Sequence, residues 1–205
     1  MKRGPGRPRE FEPDEFLNAA MHCFWQKGYR ATSLADLMQQ TGLASASIYK
    51  LYPDKKAIFL AALKHYMDQG FARRSRRAAE LAPENALRET LEFGVTLSTG
   101  AAGEKGCFSI AAASEMLPGD AEVMALVEYK FRDIIGWLSS VLSHGQKSGV
   151  FRQDRDAEVM AECLFMMLEG MRVYGKIQPD REMLNKAVEF IISTVLVSNS
   201  DELHE

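Results

Sequence analysis

The most informative pattern of polar, basic and aromatic side chains lies between Ser33 and Phe59, in the stretch SLADLMQQTGLASASIYKLYPDKKAIF. Two short helices are predicted there, joined by a tight turn at Gly42. The outward positions of the second helix hold small, polar and basic side chains: Ser45, Ala46, Ser47, Tyr49 and Lys50. Such a face suits base edges and phosphates in a DNA major groove, whereas a packing face is apolar. The alternative is an ordinary solvated helix, in which the Tyr49 ring would have no purpose.

Helical periodicity predicts the helices that carry these residues and their surroundings. A first helix is predicted over Asp14–Lys27, and a second begins after the N-cap Ser33, with Asp36 three residues on. A third is predicted from about Ala44 to Leu51, with Ala44, Ile48 and Leu51 facing inward. A fourth covers about 54–77, capped by Asp54. Further helices are predicted over 84–99, 107–116, 120–147, 155–175 and 180–197, with Gly100–Gly106 as a loop. The predicted fold class is all-α, with about nine helices.

The charges divide the chain into a basic and an acidic part. Residues 1–77 carry 14 Lys and Arg against 7 Asp and Glu, whereas residues 78–205 carry 11 against 21. The stretch RGPGRPR near the N-terminus places Arg3, Arg7 and Arg9 on a segment whose Gly and Pro residues disfavour helix and strand. A flexible arm over 1–10 is predicted. It either lies in a DNA minor groove, where Arg is favoured, or is a solubilising tail.

Other function classes find little support in the sequence. Cys23, Cys107 and Cys163 are an odd number at wide spacing, which fits neither a disulfide framework nor a metal site. No apolar run is long enough to span a bilayer, and no signal-peptide core is present, so a cytoplasmic protein without a membrane partner is predicted. The four His residues have no catalytic partner at a recognisable spacing, so neither an enzyme nor a cofactor is predicted.

The segments FWQKGYRATSLADL and TGLASASIYKLYPDKKAIF, within about residues 11–66, resemble the TetR/AcrR family of bacterial transcriptional repressors. The resemblance implies a helix-turn-helix domain over 11–56, a connecting fourth helix and a helical regulatory and dimerisation domain over 78–205. It also implies three sets of contacts with duplex DNA. Thr32 and Ser33 would meet a phosphate; Ser45, Ala46 and Ser47 would meet base edges; and Tyr49, Tyr52 and Lys55 would grip the DNA backbone. Lys50 stands among these DNA-binding residues, at a position where the family commonly has a basic or polar residue. The chain departs from the family pattern at two positions. Ala44 replaces a Ser and so removes an N-cap hydroxyl, and Leu51 replaces an aromatic residue or His.

The resemblance further implies a pocket for a small apolar or amphipathic molecule in the acidic part. Large, adaptable side chains are available for it: Met116, Met124, Phe131, Trp137, Phe165, Met166, Met167, Met171 and Tyr174. The same Met and aromatic side chains, at helical spacing, also fit an ordinary helical core. The sequence leaves both a ligand pocket and a core open. Cys107 follows the AAGEKG segment and precedes a helix, which fits either a redox or electrophile sensor or a buried structural Cys.

The last two predicted helices are more apolar than one short domain requires. The residues that form this surface are Met160, Cys163, Leu164, Met167, Gly170, Val173, Leu184, Ala187, Val188, Ile191, Ile192 and Val195. They suit a two-fold, four-helix homodimer interface, as in the family, or a cap on the core of one subunit. The leading hypothesis is therefore a homodimeric repressor that binds a palindromic operator and is released by a small molecule. The alternatives are a ligand-independent DNA-binding or architectural protein, and a sensor based on Cys107.

Overall fold

The structure is a computed structural model that describes residues 13–78 and 81–197, without the side chains of 73–78. The predicted arm over 1–10, with Arg3, Arg7 and Arg9, lies outside the described residues. The chain divides into two compact units, Met1–Tyr66 and Met67–Glu205. Each unit has its own apolar core, and each is described by itself below.

The first unit contains α1 (Pro13–Lys27), α2 (Leu34–Thr41), α3 (Ser45–Leu51) and the beginning of α4 (Lys55–Ala78). Its core is built from side chains of all four helices: Phe16, Ala20, Phe24, Leu37, Ile48, Ile58, Phe59, Ala62 and Leu63. The Phe24 and Phe59 rings meet edge to face at 5.1 Å, an arrangement that aromatic quadrupoles favour. This aromatic contact joins α1 to α4.

The predicted helix starts in the first unit are confirmed at two positions. Ser33 caps α2 in a reciprocal capping box with Asp36, and the Asp54 carboxylate accepts the backbone N–H of Ala57 at 2.8 Å. Ala44 caps α3 without a side-chain hydrogen bond, as its lack of a hydroxyl predicts. The prediction that Ala44 and Leu51 face inward is wrong. Both are exposed, because α3 is so short that Ile48 alone reaches the core.

The second unit continues from α4 with six helices and one 3-10 turn, Gly175–Ile177. The helices are α5 (Pro83–Leu97), α6 (Gly100–Lys105), α7 (Phe108–Met116), α8 (Ala121–Lys147), α9 (Ala157–Tyr174) and α10 (Arg181–Val195). The all-α class is confirmed, with ten α-helices over the residues that the structure describes. The segment predicted as a Gly100–Gly106 loop is instead the short helix α6, which packs against α5 and the 3-10 turn.

The core of the second unit draws on α5, α8, α9 and α10. Phe151, which follows α8, is fully buried over Gly145. A Cβ on Gly145 would lie 2.0 Å from a ring carbon of Phe151, so only glycine fits there. Five residues predicted at a dimer interface also lie in this core: Leu164, Leu184, Val188, Ile192 and Val195. That part of the prediction is wrong, because these side chains belong to the inner faces of α9 and α10 and are buried within one subunit.

Among the helices of the described segments, none combines the length and the apolar character that crossing a bilayer demands. The two longest helices, α4 and α8, both carry several charged side chains along their length.

Candidate nucleic-acid interface

Helix α3 presents a continuous polar surface away from the core of the first unit. Ile48 is fully buried, whereas Ala46, Ser47, Tyr49 and Lys50 are exposed and Ser45 is half-buried. The Tyr49 side chain remains 48% exposed even though its ring is large and mostly apolar. Four of the five outward positions predicted from the sequence are thus exposed to solvent.

The residue that follows α3, Tyr52, fixes the end of this helix through an aromatic contact with α1. The Tyr52 ring stacks on Phe16 of α1, with ring centroids 5.4 Å apart and an interplanar angle of 14°. Burial raises the pKa of the Tyr52 hydroxyl, so this group stays neutral and keeps its proton. Tyr52 was predicted to grip the DNA backbone, and the structure directs much of its ring into the packing of α1 against α3.

The start of α2 is a compact network of hydrogen bonds. The Thr32 hydroxyl donates to the Gly28 carbonyl at 2.6 Å, and the Ser33 hydroxyl donates to the Asp36 carboxylate at 2.7 Å. Lys27 reaches the same carboxylate at 2.6 Å. The hydrogen bonds from Lys27 and Ser33 hold the pKa of Asp36 well below its usual range. The hydroxyls that the family resemblance placed on a phosphate therefore donate within the protein.

Lys55, the first residue of α4, contacts the turn between α1 and α2. Its Nζ donates to the backbone carbonyl oxygens of Tyr29 at 2.9 Å, Thr32 at 3.0 Å and Arg30 at 3.5 Å. The ammonium also lies 4.6 Å from the centroid of the Tyr29 ring, within the range of a cation–π interaction. The structure thus directs the Lys55 side chain towards its own chain.

The residues predicted to line a ligand pocket do not come together as one set. The Phe131 and Phe165 rings are 4.9 Å apart. Phe165 and Met171 belong to the core of the second unit, and three more predicted residues pack against it: Phe131, Trp137 and Met167. Met116 is half-buried. Met124, Met166 and Tyr174 are exposed, so they do not line an interior cavity of one subunit. One groove of about 590 Å³ lies between α5 and α10, and none of its lining residues was predicted to line a pocket: Glu89, Glu92, Phe93, Thr96, Arg181, Asn185, Val188 and Glu189.

A buried polar cluster in the second unit was missed from the sequence. The Nζ of Lys130 on α8 lies 3.2 Å from the Cys107 Sγ and 3.7 Å from a carboxylate oxygen of Glu169 on α9. Lys130 and Cys107 are both buried. Arg172 is buried as well, and its guanidinium donates to the carbonyls of Leu97 and Gly106. The available signal was spacing, because Lys130 stands three residues after Val127 and four before Ile134, both on the inner face of α8.

Helices α9 and α10 each expose a row of mostly apolar side chains on the side opposite their buried residues. We call these rows the outer seam. Its members on α9 are Val159, Cys163, Met166, Gly170 and Val173, and those on α10 are Met183, Ala187, Phe190 and Thr194. In each row the spacing alternates between four and three residues, which is the pattern of helices that pack as coiled coils. Met166 and Phe190 are 61% and 67% exposed.

The outer seam includes four of the residues predicted at a dimer interface: Cys163, Gly170, Val173 and Ala187. Three others, Met160, Met167 and Ile191, are only partly buried and pack against the core. A Cβ on Gly170 would meet no atom within 4 Å in the described part of the chain. The fold of the single subunit therefore does not require a glycine there.

Two compact helical units, one with an exposed helix-turn-helix, define the class of helical DNA-binding regulators. Comparison of the chain with models of known protein families identifies which family of regulators it belongs to. Residues 16–62 match the family described as "Bacterial regulatory proteins, tetR family". Residues 83–191 match the "Tetracyclin repressor-like, C-terminal domain". The chain belongs to the tetR family, and it is a DNA-binding transcriptional regulator rather than an enzyme.

Individual relatives match over most of their length. The HTH-type transcriptional repressor ComR of Escherichia coli K12 is 29% identical over 178 residues, 86% of this chain and 85% of ComR. The regulator YezE of Bacillus subtilis 168 is 27% identical over 192 residues, 93% of this chain and 99% of YezE. A cysteine mutant of the TetR-family regulator CifR, solved with 26-base-pair operator DNA, is 29% identical with a TM-score of 0.77. That match covers 93% of this chain and all of CifR.

Proposed function

We propose that this protein is a homodimeric repressor that binds a palindromic DNA operator in the bacterial cytoplasm and releases it when a small molecule binds. The observation that carries the proposal is the exposed polar face of α3, held on the first unit by one buried side chain. The repressor ComR, with 29% identity, supports repression as the sign of regulation.

The chemistry of α3 supports a division of labour on the duplex. Ser45 and Ser47 carry short hydroxyls that both donate and accept, so they suit base edges near the start of the helix. Ala46 is small enough to let the helix approach the groove closely. Tyr49 and Lys50 present a hydroxyl and an ammonium that suit phosphates on either side of the groove.

The length of α3 supports binding by two copies. Seven residues of helix span about 10 Å, which corresponds to roughly three base pairs. So short a contact carries little sequence information, and helix-turn-helix proteins overcome this by placing two recognition helices on half-sites one helical turn apart. The 26-base-pair operator in the CifR complex has room for two such half-sites.

The outer seam supplies the surface for the second copy. Both α9 and α10 turn their other face to the core, so the seam is an additional apolar surface. In a two-fold arrangement the seams of two subunits form a four-helix interface, because each seam then meets an identical one. Gly170 and Ala187 allow close approach of the helices, and Phe190, Met166 and Met183 provide large, exposed apolar side chains.

Release by a small molecule is supported by the interior of the second unit. Fully apolar packing would be the most stable interior for a purely structural domain, yet Lys130, Glu169 and Arg172 lie there instead. Polar groups among aromatic side chains are typical of small-molecule sites, where they provide orientation and specificity. A ligand that bound among these side chains would need both polar and apolar parts.

A second candidate is that thiol-reactive compounds act through Cys107. Thiolate is the nucleophilic form of cysteine, and Lys130 places a hydrogen-bond donor 3.2 Å from the Cys107 sulfur. Cys107 is also the N-cap residue of α7, so an adduct there disturbs the start of that helix. Modification would in this way alter the second unit without an exchangeable ligand.

The recognition face is tested by selecting bound sequences from a library of random duplexes. The wild type should enrich an inverted repeat. Ser47→Ala should change the base preference within each half-site, because it removes a base contact. Lys50→Ala should instead keep the preference and weaken binding to all sequences, with the salt slope reduced by about 0.9 for each phosphate that the variant no longer neutralises. Unchanged preference in both Ser45→Ala and Ser47→Ala would place base reading elsewhere.

The dimer is tested by the variant Phe190→Glu, with Tyr129→Glu as its matched control. Both positions are large, exposed aromatic residues, but Tyr129 lies on α8 and outside the outer seam. A carboxylate at position 190 would be buried twice in the interface. This should raise the dimer dissociation constant by roughly 100-fold or more in sedimentation equilibrium. Tyr129→Glu should sediment like the wild type.

The native thiols give an independent measure of the same interface. Cys23 and Cys107 are buried and Cys163 is exposed on the outer seam. In the dimer Cys163 is covered, so it should react slowly with dithionitrobenzoate, whereas Phe190→Glu should expose one fast thiol per chain. A wild-type dimer with a fast Cys163, or a dimeric Phe190→Glu, would show that subunits meet through another surface.

The second candidate is tested by adding iodoacetamide to the complex with a selected duplex. The starting variant is Cys163→Ser, which removes the thiol of the outer seam. Because Cys107 is buried, the reaction is followed over hours; alkylation should release most of the DNA from this variant at the rate at which mass spectrometry finds the adduct on Cys107. The double variant with Cys107→Ser should stay bound under the same conditions. Equal release from both proteins would refute a sensing role for Cys107.

A further inference from the structure

The contacts of Lys55 differ from those of a phosphate-binding lysine. A lysine ammonium has three N–H donors, and the three carbonyl oxygens of Tyr29, Arg30 and Thr32 surround Nζ at 2.9 to 3.5 Å. These carbonyls lie in the turn between α1 and α2, outside the hydrogen-bond ladder of either helix. The Tyr29 ring covers another side of the ammonium at 4.6 Å. The cation is therefore coordinated by its own chain.

The position of Lys55 in α4 is unfavourable by local rules. The N-terminus of a helix carries partial positive charge, so acidic residues are favoured in the first turn. The first turn of α4 contains no acidic residue and begins with Lys55 and Lys56. A cation at this place needs a compensating interaction, and the three turn carbonyls provide one.

The consequence for α3 follows from the chain connections. Only three residues, 52–54, separate the end of α3 from Lys55. The contact of Lys55 with the α1–α2 turn therefore sets where α3 ends relative to the start of α2. Thr32 is buried, and its hydroxyl donates a hydrogen bond to the Gly28 carbonyl. The turn that Lys55 contacts is therefore itself fixed in place.

We propose that Lys55 is a positioning residue, which holds the recognition helix at its reading angle, and that it does not contact a phosphate. The proposal rests on α3 as the base-reading helix of the proposed function. It changes the role that the family resemblance assigned to Lys55. The two roles differ in measurable ways, because removal of a phosphate-binding cation weakens binding to all sequences and lowers the salt slope, whereas misalignment of α3 weakens specific binding most.

The test compares Lys55→Gln and Lys55→Arg with the wild type, using a duplex selected by the wild type and a scrambled duplex of equal length. Both variants should bind the selected duplex at least 10-fold more weakly and the scrambled duplex less than 3-fold more weakly. The slope of log K against log salt should stay within 0.3 of the wild type. Lys50→Gln is the control for an exposed lysine on α3, and its slope should fall by about 0.9.

The Arg variant keeps the charge, so it separates the two roles even if Lys55→Gln fails to fold. A planar guanidinium does not fit three carbonyls that converge on a tetrahedral ammonium, whereas it binds a phosphate well. Wild-type affinity of Lys55→Arg for the selected duplex, or a slope reduced by about 0.9 in Lys55→Gln, would overturn the proposal. Circular dichroism confirms that each variant is folded. If the wild type selects no sequence from the library, that result contradicts base reading by α3. It is distinct from the Lys55 outcomes, which are measured on a duplex that the wild type has selected.

Discussion

The shortness of α3 is the constraint on which the rest of the first unit depends. A seven-residue helix is not stable alone in water, because nucleation costs more than one or two turns return. Its outward side chains are also unavailable for packing if they read DNA. The structure meets this constraint with one buried side chain, Ile48, and with contacts just beyond the C-terminus of the helix, where Tyr52 stacks on Phe16 and Lys55 binds the α1–α2 turn.

In the second unit, α9 and α10 each carry two different apolar surfaces. The inner faces, with Leu164 and Val188, form the core. The outer seam, with Met166 and Phe190, stays exposed in one subunit. In the proposed dimer, a second copy of the chain would remove this apolar area from water and would also double the length of DNA that can be read. The proposal thus links dimerisation and sequence recognition to the same limit on α3.

Much of the fold follows from signals in the sequence, because helix ends carry specific chemistry. Ser33 with Asp36, Gly42 with its left-handed backbone, and Asp54 mark ends that lie within one residue of the predicted positions. The Gly100–Gly106 segment was predicted as a loop because its three glycines disfavour a helix, yet the contacts of α6 with α5 and the 3-10 turn stabilise one. Tertiary packing overrode local propensity there.

Side-chain roles were harder to predict, for physical reasons. Helix α10 is apolar on two faces, so periodicity alone does not tell which face is the core, and Val188 was assigned to the wrong one. Lys130 was missed because its partners Cys107 and Glu169 are distant in sequence. The outward residues of α3 were predicted as those left after Ala44, Ile48 and Leu51 had been assigned inward, and of these three only Ile48 is buried.

Hydroxyl-radical footprinting on a duplex selected by the wild type shows whether two copies of α3 read two half-sites. We expect two protected tracts of similar strength, related by two-fold symmetry and centred about 10 base pairs apart or a multiple of that spacing. A single protected tract, or weak protection spread evenly along the duplex, would contradict this expectation.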